Sequence, residues 1–178
     1  VVAVVLTYFA ATVVAHAARD ETDGRAELVL ATGTSRSAWL GAALVVALAG
    51  TALLLVMTGL GLWIGYAAAD GPGIGNLLVA ALAWVPATWV VGSLAVLSLA
   101  WGTRWTVLAW VWPAAFLVLG LMGDLLELPA WVTDLSPYAH VPAVPSEPWS
   151  WASTSALTAV AAALLLVAWW RFRERDIH

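Results

Sequence analysis

Five long stretches of this chain carry no Asp, Glu, Lys or Arg: Val1 to about Ala18, Leu40 to Ala68, Leu77 to Trp101, Trp105 to Met122 and Trp151 to Trp170. Each is close to the ~20 apolar residues that a helix needs to cross a bilayer. Inside lipid, backbone polar groups must be satisfied within the segment, which leaves helices or a closed barrel. Barrel strands alternate polar and apolar side chains. These runs are apolar on both parities, so the fold class is all-α: a polytopic transmembrane helical bundle of five spans. Composition agrees. The chain is 63% hydrophobic and 10% charged, whereas soluble domains are nearer half apolar and a quarter charged. The first residue, Val1, already lies in an apolar run, and no basic start or cleavage site precedes it. The expectation is a single transmembrane domain, residues 1–178, forming the C-terminal piece of a longer membrane protein.

Orientation follows from the positive charges. There is no lysine, and the arginines are Arg19, Arg25, Arg36, Arg104, Arg171, Arg173 and Arg175. With alternating spans, all seven fall on one side. The other side holds Asp70, Asp124, Glu127, Asp134 and Glu147, and no arginine. The loop 19–39 and the C-terminus are therefore expected in the cytoplasm. Trp39, Trp101, Trp105, Trp169 and Trp170 then fall at the inner interface. Trp63, Tyr66, Trp131, Trp149 and Trp151 fall near the outer one, as in an aromatic belt. Trp84, Trp89, Trp110 and Trp112 lie deeper. Pro86 and Pro113 beside them predict kinks.

The outer segment 123–150, "GDLLELPAWVTDLSPYAHVPAVPSEPWS", is too apolar for a solvated loop and too proline-broken to cross. A re-entrant or interfacial helix from Asp124 to about Leu135, followed by an extended return, is expected.

No span has an Asp, Glu, Lys or Arg in its interior, and ionisable groups at depth are the usual mark of proton relays and ion coupling; His16 is the one candidate. His16, near the cytoplasmic edge, reads as an interfacial residue rather than a functional one. Three scattered histidines and no cysteine make no metal site. A phosphate-binding P-loop needs a lysine, and there is none. "TGLGLWIG", Thr58 to Gly65, reads as helix packing or kinking. No hydrolase constellation can be assembled, and nothing suggests nucleic acid. A drive for uphill movement must therefore come from a partner on the cytoplasmic side.

Only the loop 19–39 is large enough between spans to receive one. Asp20, Glu21, Thr22 and Asp23 suit a helix start, and Arg25 to Ala31 is a helical run ending near Gly33. Leu28, Val29 and Leu30 need a cover. From their physics alone, lipid headgroups and a protein groove fit equally well.

"ETDGRAELVLATGTSRSAWL", Glu21 to Leu40, resembles the cytoplasmic loop of ABC exporter permeases, notably actinobacterial exporters of polyketide antibiotics. The matching positions are Glu21, Gly24, Arg25, Glu27, Leu28, Leu30, Ser35, Arg36 and Trp39. "LSPYAHVP", Leu135 to Pro142, is similar to that family's outer segment, and "RFRERDIH" to its arginine-rich tail. Where the family has a proline after the aliphatic run, this chain has "ATGTS".

The resemblance implies a permease of the bacterial plasma membrane, one half of a fused pair whose N-terminal half precedes it. It implies that 19–39 is a coupling helix seated on an ABC ATPase dimer, with Glu21, Arg25, Glu27, Leu28, Leu30, Ser35 and Arg36 at the contact. ATP would bind the partner, leaving this chain without a cofactor and without catalysis of its own. The substrate would be a hydrophobic small molecule such as an antibiotic. Trp89, Trp110 and Trp112 either line its route or face lipid and neighbouring helices. The competing class is a membrane scaffold or assembly subunit whose loop docks some other cytoplasmic partner.

Overall fold

The computed structural model describes residues 8, 9, 12, 36–67, 74–101, 105–122, 127–144 and 146–173. Six α-helices are seen among them, and no strand. They are α1 (Arg36–Ala67), α2 (Ile74–Ala83), α3 (Val85–Ala100), α4 (Thr106–Met122), α5 (Ala130–Thr133) and α6 (Trp151–Arg173), with a 3₁₀ turn at Pro137–His140. The first expected span, apart from Tyr8, Phe9 and Thr12, lies outside the described residues. So do loop residues 19–35, the turn 68–73 and the start of the outer helix at Asp124.

The third apolar stretch is two helices. Pro86 has no N–H to offer the Leu82 carbonyl, so the α-helical ladder is interrupted there. Trp84 forms the joint, donating its backbone N–H to Ala81 O at 3.2 Å, one residue short of the α-helical partner. The ladder resumes with Thr88 N–H to Trp84 O at 3.1 Å. The break expected at Pro86 is present. Pro113 sits inside α4.

Three helical segments are long and apolar enough to cross a bilayer: Leu44–Tyr66, Gly75–Ala100 through the joint, and Trp151–Arg171. The fourth stretch is shorter. Its 17 helical residues rise about 25 Å, below the ~30 Å hydrocarbon thickness.

α3 is the axis of the bundle, with 13 of its 16 residues buried. It pairs most extensively with α6, and next with α4. Its register with α6 is parallel. Ala87 and Val90 meet Leu157 and Ala161 at one end, and Ala95, Leu99 and Ala100 share a cluster with Ala168 at the other. That second cluster also takes Ala47 of α1 and Ala109 of α4. Four helices converge there on alanines. Small side chains let backbones approach where lipid supplies no hydrophobic drive for association. The start of α1, the end of α3, the start of α4 and the end of α6 thus lie at one end of the bundle, the end that carries Arg36 and Arg171.

Gly59 marks a second close approach, between α1 and α2. A Cβ there would stand 3.1 Å from the Ala81 Cβ and 3.2 Å from the Leu77 carbonyl oxygen. The packing expected of the glycine-spaced "TGLGLWIG" therefore holds at Gly59. Gly61 and Gly65 have open space around them among the described residues.

Hydroxyl groups in the helices turn back on the main chain. Thr51, Thr58, Ser93, Ser98 and Thr158 all donate to carbonyls three or four residues earlier, at 2.6–2.9 Å. Each of these five hydroxyls is thereby satisfied by its own helix.

The outer segment departs from the expected helix over Asp124 to Leu135. In its described part the helix is the four residues of α5. Pro129 is its N-cap in an extended conformation, φ −56° and ψ 142°. Proline disfavours helical backbone in the residue before it. Glu127 has φ 47°, a left-handed turn. The return is not simply extended either, since Pro137–His140 coils into the 3₁₀ turn and packs on α3 and α4. Tyr138 tilts against Trp84 at 5.9 Å between ring centroids. It also joins Val141 against the Ala87–Leu157 cluster. "LSPYAHVP" is thus a plug over the helix joint at the end opposite the arginines.

Candidate functional site

The two groups of expected site residues fare differently. Glu21, Arg25, Glu27, Leu28, Leu30 and Ser35 lie outside the described residues, and Arg36 opens α1. The three deep tryptophans are placed, and they do not meet.

Trp89 points at α1. Its indole Nε1–H donates to the Leu48 carbonyl at 3.2 Å, an oxygen that also accepts from Thr51 Oγ1 at 2.9 Å. Trp110 stacks on Tyr8 of the first stretch, with centroids 6.0 Å apart and planes at 23°. Trp112 faces α3. Its Nε1–H donates to Ser98 Oγ at 3.0 Å, and Ser98 Oγ donates onward to Leu94 O at 2.8 Å. Phe116 stacks on Trp112 at 6.2 Å. Trp89 and Trp112 are therefore interhelical fasteners. Each satisfies a buried indole N–H that would otherwise be costly in an apolar medium.

Trp112 also borders an internal space. A cavity of about 280 Å³ lies between α3 and α4. On α3 its wall is Leu94, Leu97, Ser98 and Trp101. These are spaced three, one and three residues apart, one face of a helix. On α4 the wall is Trp105, Leu108 and Trp112, spaced three and four apart. Trp101 and Trp105 flank the 101–105 turn and are half-exposed, at 50% and 41%. They form the rim, at the arginine-bearing end of the bundle.

Position along the chain places Trp101 and Trp105 at the interface. The helical spacing of the seven lining residues is a signal present in the sequence, but spacing does not show that the two faces turn toward each other.

At the other end, a wider cleft of about 930 Å³ separates the outer segment from the start of α6. His140, Glu147, Ser150 and Ser153 border it. Glu147 Oε2 accepts the Ala143 backbone N–H at 3.2 Å, bracing the proline-rich turn. No group of three or more His, Cys, Asp or Glu side chains that could hold a metal occurs among the described residues. Among the described residues the geometry offers apolar surface and the paired indole and hydroxyl groups above.

A family model described as the C-terminal domain of the multidrug efflux system permease Rv1217c matches residues 1–173. The multidrug efflux system permease protein Rv1217c of Mycobacterium tuberculosis is 31% identical over 180 residues, covering 99% of this chain and 33% of that protein. The chain thus spans about a third of the length of the curated relative it matches.

Proposed function

Because the chain belongs to the family of the C-terminal domain of the multidrug efflux permease Rv1217c, we propose that it is the membrane-spanning part of an ATP-driven exporter, coupled to a separate ATPase. The family supports a transporter component rather than an enzyme, and favours transport over the scaffold alternative. Export, ATP drive and a hydrophobic substrate such as an antibiotic are our reading of this chain.

The observation that carries the ATP drive is the charge map. The five apolar stretches hold no Asp, Glu, Lys or Arg, and their single histidine, His16, lies near the edge of the first, which leaves proton or sodium coupling little to act on. Energy must then enter through the cytoplasmic face. The arginine-rich loop 19–39 is the docking segment, with Arg25 and Glu27 central and Leu28 and Leu30 covered by the ATPase. ATP-dependent closure of an ATPase dimer would move the loop, and the spans with it, as a rigid-body switch. In this reading the N-terminal part of the permease completes the route.

The test uses inside-out membrane vesicles holding the full-length permease and its ATPase. ATP should drive uptake of a hydrophobic fluorescent dye, and uptake should survive a protonophore. Uptake that needs a proton gradient and ignores ATP would overturn the proposal.

A further inference from the structure

We propose that the cavity between α3 and α4 is a binding site for a small, uncharged, flat aromatic molecule that enters sideways from the membrane interface. Three of its seven lining residues are tryptophans, Trp101, Trp105 and Trp112. Indole rings are rigid, flat walls whose faces favour stacked or edge-on aromatic partners. The only other polar side chain in the wall is Ser98, and its hydroxyl is already engaged. It accepts from Trp112 Nε1 and donates to Leu94 O. No ionisable side chain is among its described lining residues. A charged ligand would lose its hydration against this wall without a charged partner in it.

Size selects further. At about 280 Å³ the cavity is near the lower bound of ~300 Å³ typical of small-molecule sites. A fused-ring compound of anthracene size suits it. A phospholipid acyl chain fits poorly. From Leu94 to Trp101 the wall runs about 10 Å along α3, whereas an extended chain must occupy half of a ~30 Å core. The half-exposed rim of Trp101 and Trp105 gives access at the depth where such rings partition. As a binding site the cavity stands independently of transport; as a station on an export route it rests on the permease reading above.

The probe is 1-aminoanthracene, added to the full-length permease in detergent and followed by its fluorescence gain in an apolar site. We expect a saturable component that weakens at least about tenfold in both Leu94→Trp and Leu108→Trp, which fill the space from opposite walls. Val118→Trp, on an exposed face of α4, should bind as the parent does. Photolabelling the unmodified protein with 1-azidoanthracene removes any dependence on variants that fold poorly. Adducts should map within residues 94–112. Unchanged binding in both filled variants, adducts elsewhere, or displacement of the probe by stoichiometric phospholipid would overturn the site. ATP-driven efflux that persists in the filled variants would overturn the cavity as a station on the export route and leave the permease reading intact.

Discussion

Gly59 lies where α1 presses on α2, and valine in its place should force the two helices apart. The Cβ of any substitution would stand 3.1 Å from the Ala81 Cβ and 3.2 Å from the Leu77 carbonyl oxygen. Carbon atoms prefer about 3.5–4.0 Å, and the obstructing oxygen belongs to backbone. Alanine would recover up to ~1 kcal/mol of helix propensity, enough to mask a mild clash. Valine adds two methyl groups to the same gap. An overpacking cost of about 1–3 kcal/mol is then expected, and at ~2 kcal/mol the folded population falls roughly 30-fold relative to the unfolded one. The assay is equilibrium unfolding of the full-length permease in mixed micelles, read by tryptophan fluorescence. Gly61→Val, where open space surrounds the site, serves as the comparison. If Gly59→Val is as stable as the parent while Gly61→Val is not, the close approach of α1 and α2 is wrong.

Two other expectations concern packing and direction. A double-mutant cycle of Ser98→Ala and Trp112→Phe should give a coupling near 0.6 kcal/mol and no more than ~1.7 kcal/mol, the range for interhelical hydrogen bonds in membranes; zero coupling would remove the Trp112–Ser98 bond as a fastener. In a cysteine-free background, a membrane-impermeant maleimide applied from outside intact cells should label Ser146→Cys and spare Asp176→Cys; the reverse pattern would invert the orientation read from the arginines.

Much of the bundle could be read from the residues, and the reasons are local. Charge-free runs of span length announce helices because lipid forbids unpaired backbone. Pro86 announces the α2–α3 joint because its missing N–H acts at a fixed offset in sequence. The expected outer helix is shorter in its described part because Pro129 restricts Leu128 and Glu127 adopts a left-handed turn. The α3–α4 cavity escaped because it depends on how two helix faces meet across a turn. Trp101 and Trp105 look alike in sequence whether they rim a cavity or simply mark the interface. The N–H groups of Trp89 and Trp112 hold α3 to α1 and α4 to α3, partners that no spacing in the sequence reveals.

In the proposed exporter, force enters through the loop between the first two apolar stretches. The direct measurement compares ATP hydrolysis and efflux in vesicles holding the permease and its ATPase, for Arg25→Ala and Glu27→Ala. Membrane insertion should be unchanged, hydrolysis should continue, and efflux should fall severalfold in each. Full efflux in both variants would contradict the claim.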